Sequence, residues 1–406
     1  MNACILTIGE ELLQGFTIDT NSSWLAETLL PYGINITKKI TLGDDVKSIV
    51  AETKIILGDN YDFLFVTGGL GPTHDDITKE AFRQLFNDEL YLDENYFEQL
   101  KERFEKRTKK MPEINRSQAM LLKKADSIPN DTGSALGMHI LEKGTNIFIL
   151  PGVPREMKEM VSRYIIPNYM GTAPKENYIT IKTAGVMESR LAEMVKELME
   201  KYSDSFRFAF LPHYNGVSFR IRKLGEKNDI QKIKDDFFQA MQPYAYGIND
   251  DSLEGVLGEK LRDNKLTIAV AESCTGGLIG KRLTDTAGSS EYFLGSITAY
   301  SNQLKTTLLD ISDETLIENG AVSEKTAFEM AKGIKNKTGS NIGLSTTGIS
   351  GPGGGTKTKP VGLVYIGLVS PKKSIVKKYN FHFGRHIHRE MTTTAALNIT
   401  RITLED

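Results

Sequence analysis

The sequence has only two cysteines, Cys4 and Cys274, a single tryptophan, and no apolar run of the roughly 20 residues that a bilayer-spanning helix needs. Each shortage excludes something. Two cysteines at strand or turn positions, outside any CxxC spacing, give neither a disulfide framework nor a thiolate metal site, and a reducing cytoplasm fits. The opening MNACILTIGEELLQG carries no basic stretch and its apolar run breaks at Glu10, so it does not read as a signal peptide. An excess of one charge is missing too, since 50 Lys and Arg against 52 Asp and Glu leave a formal net charge of −2. No overall basic field argues for nucleic acid or an anionic membrane, and small molecules are the expected partners. The one locally basic run, Lys101 to Lys110, alternates Glu with Lys and Arg at three- and four-residue spacing. It has no aromatic interleaving suited to stacking bases, so it reads as a solvated helix face.

What is present fills more than one core. A chain of 406 residues predicts two or three domains. From Met1 to about Pro167, strands and helices alternate: strand Ala3 to Ile8, helix Asn21 to Leu30, strand Ile34 to Thr41, helix Val46 to Leu57, strand Asp62 to Thr67. That order predicts a mostly parallel α/β sheet with helices on both faces. The last strand opens onto TGGLGPTHDDIT, where Gly68, Gly69 and Gly71 can turn amides toward phosphate and Asp75 with Asp76 can hold a divalent cation. Polar loops at Gly9 to Gly15, at Asp44 and Asp45, and at Leu150 to Met160 fall at other strand ends of the same unit, which together make a pocket. Between about Tyr169 and Gly247 the pattern shifts to a small α+β unit: strand Tyr178 to Thr183, helix Ser189 to Lys201, strand Val217 to Lys223, helix Asp229 to Gln242.

The third region starts after the polar break Asn249 to Ser252 and has expected strands at Thr267 to Ala271, Phe293 to Ala299, Ile342 to Thr346, Gly362 to Val369 and Ile375 to Phe381. Its organising stretch is AVAESCTGGLIG, Ala269 to Gly280: an apolar strand, then Ser273, Cys274 and Thr275, then Gly276 and Gly277 leading into a helix. Open α/β sheets place ligands at such strand ends, and the first amides of a helix can stabilise a phosphate or an oxyanion. Ser273 is therefore a nucleophile candidate, although a single small-residue turn is more often a helix cap. Two further strand ends raise the case. ITAYSNQLK supplies Tyr300 and Lys305, and STTGISGPGGGTKTKP supplies Thr347 with an open glycine loop from Gly348 to Gly355. Cys274 is one residue along from Ser273 and is expected to pack in the core. His386 and His388 could share one strand face for a metal but lack a third ligand, so a surface helix start is expected.

These residues resemble the CinA family. IGEELLQG, DTNSSWLAE, TGGLGPTHDDIT, NRSQAM and PGVPREM stand in the order of the molybdopterin-binding-type fold that CinA proteins share with molybdenum cofactor proteins, and AESCTGG resembles the hallmark of the CinA C-terminal domain. His74 and Leu136 depart from the family pattern, where Pro is usual. The resemblance implies a molybdopterin-binding-like domain over 1–168, a KH-like α+β domain over 169–248 and a C-terminal α/β deamidase domain over 249–406. The KH-like stretch lacks the GXXG loop that clamps a nucleic-acid backbone, and it reads as a spacer or an element of a homodimer.

For the C-terminal domain the resemblance implies hydrolysis of nicotinamide mononucleotide to the acid and ammonia, without a cofactor. Ser273 is then the nucleophile, Lys305 with Tyr300 the proton acceptor and donor, Gly276 and Gly277 the oxyanion hole, Thr347 a positioning group, Gly351 part of the substrate loop and Arg385 the partner of the 5′-phosphate. For the N-terminal domain it implies a pyrophosphatase acting on ADP-ribose with a divalent metal at Asp44 and Asp76. Glu10, Asn21, Gly68, Gly69, Gly71, Thr73 and Asp75 complete that second site. A competence-associated adaptor without catalysis, or molybdopterin handling by the first domain, are the competing readings. An adaptor would have no use for Ser273, Tyr300, Lys305 and the glycine loop together.

Overall fold

In the computed structural model, residues 1–74, 76–107, 111–171, 178–225 and 229–405 are described, the side chain of Arg107 excepted. The chain divides into two compact units, Met1–Asn177 and Tyr178–Asp406.

The first unit is built on strand Phe63–Thr67, buried along its whole length because it sits mid-sheet with helices on both faces. The six-stranded sheet runs Asn35–Leu42, Asn2–Ile8, Phe63–Thr67, Thr145–Leu150, Gly137–Glu142, Asp126–Ile128. Its first four strands are parallel and its last two antiparallel. One face packs Leu25 and Leu29 of helix Thr20–Leu29 against Met157 and Met160 of helix Pro154–Met160. The other packs Ile49 and Ile56 of helix Val46–Gly58 with Phe82 of helix Thr78–Phe86. Parallel strands end together, so the loops after Ile8, Leu42, Thr67 and Leu150 open at one edge.

The second unit holds two sheets. A four-stranded antiparallel one, ordered Phe206–His213, Gly216–Lys223, Tyr178–Thr183, Ala245–Ile248, carries helices Glu188–Tyr202 and Gln231–Ala240 over Phe219 and Ile221. Phe206–His213 and Ala245–Ile248 are not among the expected strands: the first is an edge strand containing Pro212, and the second has only four residues. The five-stranded sheet is ordered Phe293–Thr298, Ile268–Glu272, Ile342–Gly348, Leu363–Val369, Ser374–Asn380. Its first three strands are parallel and the rest antiparallel. Helices Leu253–Asp263 and Arg385–Glu405 cover one face, and helix Glu324–Thr338 the other. The two sheets are tied by Arg401, 1% exposed, whose guanidinium donates to the Pro243 carbonyl at 2.5 Å and to Asn398 Oδ1 at 2.9 Å.

His386 and His388 lie in the first turns of helix Arg385–Glu405, not on a strand. His386 is exposed, whereas His388 is fully buried, which corrects the expected surface position. Its ring packs on Phe381, Nε2 donates to the Gly362 carbonyl at 3.1 Å, and burial lowers its pKa, so it holds structure as a neutral ring.

Candidate functional site

Strand Ile268–Glu272 lies between two parallel neighbours, so its carboxyl end, that of Phe293–Thr298 and that of Ile342–Gly348 converge. Ser273 leaves the first of them with its amide donating to the Thr346 carbonyl at 3.0 Å. The chain then turns through Gly276 and Gly277, at φ 61° and 94°, a left-handed pair that glycine adopts without steric cost. The helix Leu278–Thr284 follows. Its start is filled from inside. Glu272, fully buried, accepts from the Gly277 and Ile279 amides at 2.9 and 3.1 Å through Oε2, and from the Gly280 amide and Ser296 hydroxyl at 2.9 and 3.1 Å through Oε1. The Gly277 amide, expected in an oxyanion hole, is thus committed to a carboxylate of the protein. Glu272 was legible only as a residue of the turn; that it reaches forward to the helix start depends on side-chain direction, which spacing does not disclose.

A cavity of about 190 Å³ opens at this edge, lined by Ser273, Cys274, Tyr300, Lys305, Thr347, Ser350 and Arg385 among others. Lys305 reaches it from helix Asn302–Leu309, whose first turn is capped by Ser301 accepting from the Leu304 amide. The lysine is 1% exposed, and burial lowers its pKa because an ammonium away from water is disfavoured. Its Nζ donates to the Ala299 and Tyr300 carbonyls at 2.9 and 3.2 Å and lies 3.2 Å from Ser273 Oγ. With two N–H groups held by carbonyls, a neutral amine keeps its lone pair for the serine proton. Cys274, 6% exposed, belongs to the core beside helix Arg385–Glu405 although it also borders the cavity, and burial pushes its thiol up to about 12. It is a thiol and not a thiolate at neutral pH.

The remaining expected residues divide by what they touch. Thr347 borders the cavity with its hydroxyl donating to the Ala321 carbonyl at 2.6 Å. Tyr300, 59% exposed, turns its phenol toward Arg385 at 3.0 Å, and it is its backbone carbonyl that meets Lys305. The second arm of Arg385 donates to the Gly351 carbonyl at 3.0 Å. Gly351 therefore holds the arginine and does not itself line the cavity. Ser350 was not singled out from the sequence, since a serine inside a glycine-rich run reads as solvated loop; here it is buried and borders the cavity.

A second cavity, of about 470 Å³, opens at the strand ends of the first unit. Gly68, Gly69, Gly71, Thr73, Asp44 and Asp76 border it, joined by Glu11 and Glu156. A side chain at Gly68 would collide with the Ile8 carbonyl, so glycine is required where the loop leaves its strand. The loop is closed on Asp76: Oδ1 accepts from the Gly71 amide at 2.7 Å, and Oδ2 from the Thr73 amide and hydroxyl at 2.7 and 2.6 Å. The Gly68 amide donates to the Leu150 carbonyl at 3.1 Å, so two of the three amides expected to face phosphate are engaged within the protein. Asp44 accepts from the Glu10 amide at 3.0 Å; Glu10 itself lies outside the lining, and Asn21 braces the floor by donating to Thr67 Oγ1 and the Gly152 carbonyl. Asp75 falls outside the described residues. No three His, Cys, Asp or Glu side chains converge as a metal cluster among the described residues. No helix is long and apolar enough to cross a membrane among the described residues.

The family model described as "CinA C-terminal domain" matches residues 250–404, that for the "Damage-inducible protein CinA KH domain" residues 179–242, and the "Probable molybdopterin binding domain" residues 4–170. A CinA-like protein of Chloroherpeton thalassium is 40% identical over 99% of this chain and 99% of its own length. Another, from Chlorobaculum tepidum, is 37% identical over 100% of this chain and 99% of its own. Among solved structures, the competence/damage inducible protein CihA of Agrobacterium tumefaciens is 34% identical over 38% of this chain and 98% of its own, with a TM-score of 0.36.

Proposed function

We propose, for a chain that belongs to the CinA family, a C-terminal amidohydrolase that opens the carboxamide of nicotinamide mononucleotide by serine acylation. The observation that carries this reading is the buried Lys305 amine 3.2 Å from Ser273 Oγ, a nucleophile and base within reach of each other with no histidine involved. Ser273 Oγ attacks the carbonyl carbon and its proton passes to Lys305. The C–N bond then breaks, Lys305 returns the proton to nitrogen, and ammonia leaves. Water attacks the resulting ester with Lys305 again as base; the bond from carbon to Ser273 Oγ breaks as Lys305 passes the proton on to Oγ, and the carboxylic acid departs. At about 190 Å³ the cavity is smaller than the roughly 300 Å³ at which drug-sized pockets begin, so it suits the carboxamide and its ring, with the sugar phosphate outside against Arg385. The deciding experiment is ammonia release from nicotinamide mononucleotide by the purified protein; none at micromolar enzyme would end the reading.

A second activity in the first unit, cleavage of ADP-ribose, is favoured by one observation. Glu11, Asp44, Asp76 and Glu156 border a single cavity, an acidic lining that repels a bare diphosphate and accepts one accompanied by a cation. Bound there against Asp44 and Asp76, a divalent ion would neutralise charge on the diphosphate. The chain's own part is to hold the glycine loop in shape through Asp76. Phosphate-ester products from ADP-ribose, formed with added magnesium and abolished by a chelator, are the test. A cytoplasmic, homodimeric protein remains part of this proposal, and gel filtration with light scattering measures the second point.

A further inference from the structure

A third cavity, of about 770 Å³, lies within the second unit and shares no lining residue with the Ser273 cavity. Two sequence periods build its walls. Strand Ser374–Asn380 is the outer edge of the five-stranded sheet, and Ile375, Lys377 and Tyr379, followed by Phe381, alternate along the chain so that one face borders the cavity. Helix Arg385–Glu405 adds Met391, Ala395, Asn398 and Ile402, a stripe at spacings of four, three and four. The four-stranded sheet supplies the turn at Tyr214 and Asn215. That turn is fastened, since the Gly185 amide donates to the Asn215 carbonyl at 3.3 Å and Asn398 Nδ2 to the Ala184 carbonyl at 3.4 Å. The space is thus preformed, and its volume falls in the range of about 300–1,000 Å³ usual for ligand pockets.

The lining selects an occupant by shape and by charge. Tyr379 and Phe381 lie with ring centroids 5.4 Å apart and planes at 17°, and Met187, Tyr214 and Phe383 border the same cavity while exposed to solvent. Single exposed apolar side chains need no explanation, but three around one opening mark a binding surface. Lys373 and Lys377 border it against one acid, Glu188, and Lys377 Nζ has no ion-pair or hydrogen-bond partner among the described residues. A second copy meeting this edge with its own would set Lys372, Lys373, Lys377 and Lys378 against their equivalents, which like charge opposes. We infer that the cavity binds a small aromatic anion, its rings against Tyr379, Phe381 and the helix stripe and its acidic group at Lys377. Flexible Met187 and Met391 fit the outline of the rings. The site is independent of both activities proposed above.

The test titrates the full chain with two dyes of one skeleton, anilinonaphthalene sulfonate and the uncharged phenylnaphthylamine, followed by fluorescence. One sulfonate dye per chain is expected, with Kd on the order of 10 µM, and the uncharged dye about three- to tenfold weaker. Lys377→Met should weaken the sulfonate dye by about that same factor and leave the uncharged one unchanged, because only the first has a group for the ammonium. Ala395→Trp puts an indole in the middle of the helix stripe and should remove binding of both dyes. If that variant does not fold, the Lys377 arm decides alone. Several weak sites per chain, a Lys377→Met effect on both dyes or on neither, or binding retained in a folded Ala395→Trp overturns the inference. Binding that appears only as light scattering shows a dimer dissociating would give this face to a second copy, and overturns it as well.

Discussion

Lys305 and Ser273 meet across 32 residues of chain because a buried lysine on helix Asn302–Leu309 points at the hydroxyl that leaves strand Ile268–Glu272. The pair is set by two sheet neighbours whose carboxyl ends converge. Its behaviour toward protons is what makes it testable.

An ammonium cannot take the serine proton, so activity should appear as Lys305 loses its own. Burial lowers the lysine below its ordinary 10.5, and the ascending limb of kcat/KM is expected below that value. The sign for stability follows: between the lowered folded value and 10.5 the unfolded chain binds the extra proton, so the cost of burying Lys305 is relieved as pH rises through that window. Lys305→Arg keeps a charge that cannot be shed and should lose about 10³-fold or more in kcat/KM. Retained activity would assign the base elsewhere.

Ser273→Ala should abolish ammonia release, while Cys274→Ala keeps most of it, because a thiol pushed up to about 12 offers no thiolate near neutrality. Acyl-enzyme trapping by mass spectrometry on both variants separates the two side chains. A trapped adduct on Cys274 would contradict the serine assignment.

Glu272→Gln replaces one accepting oxygen with a donor facing the amides and hydroxyl now held by the carboxylate. A loss of about 2–4 kcal/mol in urea unfolding is expected, together with reduced ammonia release because Ser273 follows directly on this residue. A variant as stable as the parent would mean that water replaces the carboxylate.

Asp76→Asn places an amino group against the Gly71 or Thr73 amide and loosens the glycine loop. Turnover of ADP-ribose should fall at least about tenfold with ammonia release unchanged, since the two cavities lie in separate units. Chelation should likewise stop only the first activity. Loss of both on chelation would contradict a metal-free amidohydrolase.

Arg401→Ala leaves the Pro243 carbonyl and Asn398 Oδ1 without a donor in a buried site, at about 1–3 kcal/mol each. Circular dichroism during denaturation should show the second unit unfolding earlier. An unshifted midpoint would show that the middle and C-terminal sheets stand without this link.

Much of this was legible where periodicity and turn chemistry carry the information. Strand Ile342–Gly348, the AESCTGG turn and the alternation in the first unit follow from apolar runs closed by glycine, so their positions came within a residue or two. The short helices Asn302–Leu309 and Asp313–Asn319 did not, for their few apolar residues give no lasting period. Side-chain allegiance was hidden as well. That Glu272 takes the Gly277 amide, that Tyr300 turns to Arg385 and not to Lys305, and that His388 is buried are all settled by neighbours from distant parts of the chain. Ser350 was concealed by the glycines around it, which suggest exposure.

The carboxylate of Glu272 also imposes a direction on whatever enters. By filling the start of helix Leu278–Thr284, it denies an anionic tail the amides of that helix, and apart from Lys305 the cation bordering the cavity is the exposed Arg385. On the proposed amidohydrolase reading, a nucleotide amide comes in ring first with its phosphate trailing toward solvent. Bulk beside the carboxamide meets the limit of an enclosure of about 190 Å³, while bulk added beyond the phosphate meets none, so tolerance for altered substrates should be steeply lopsided from one end of the molecule to the other.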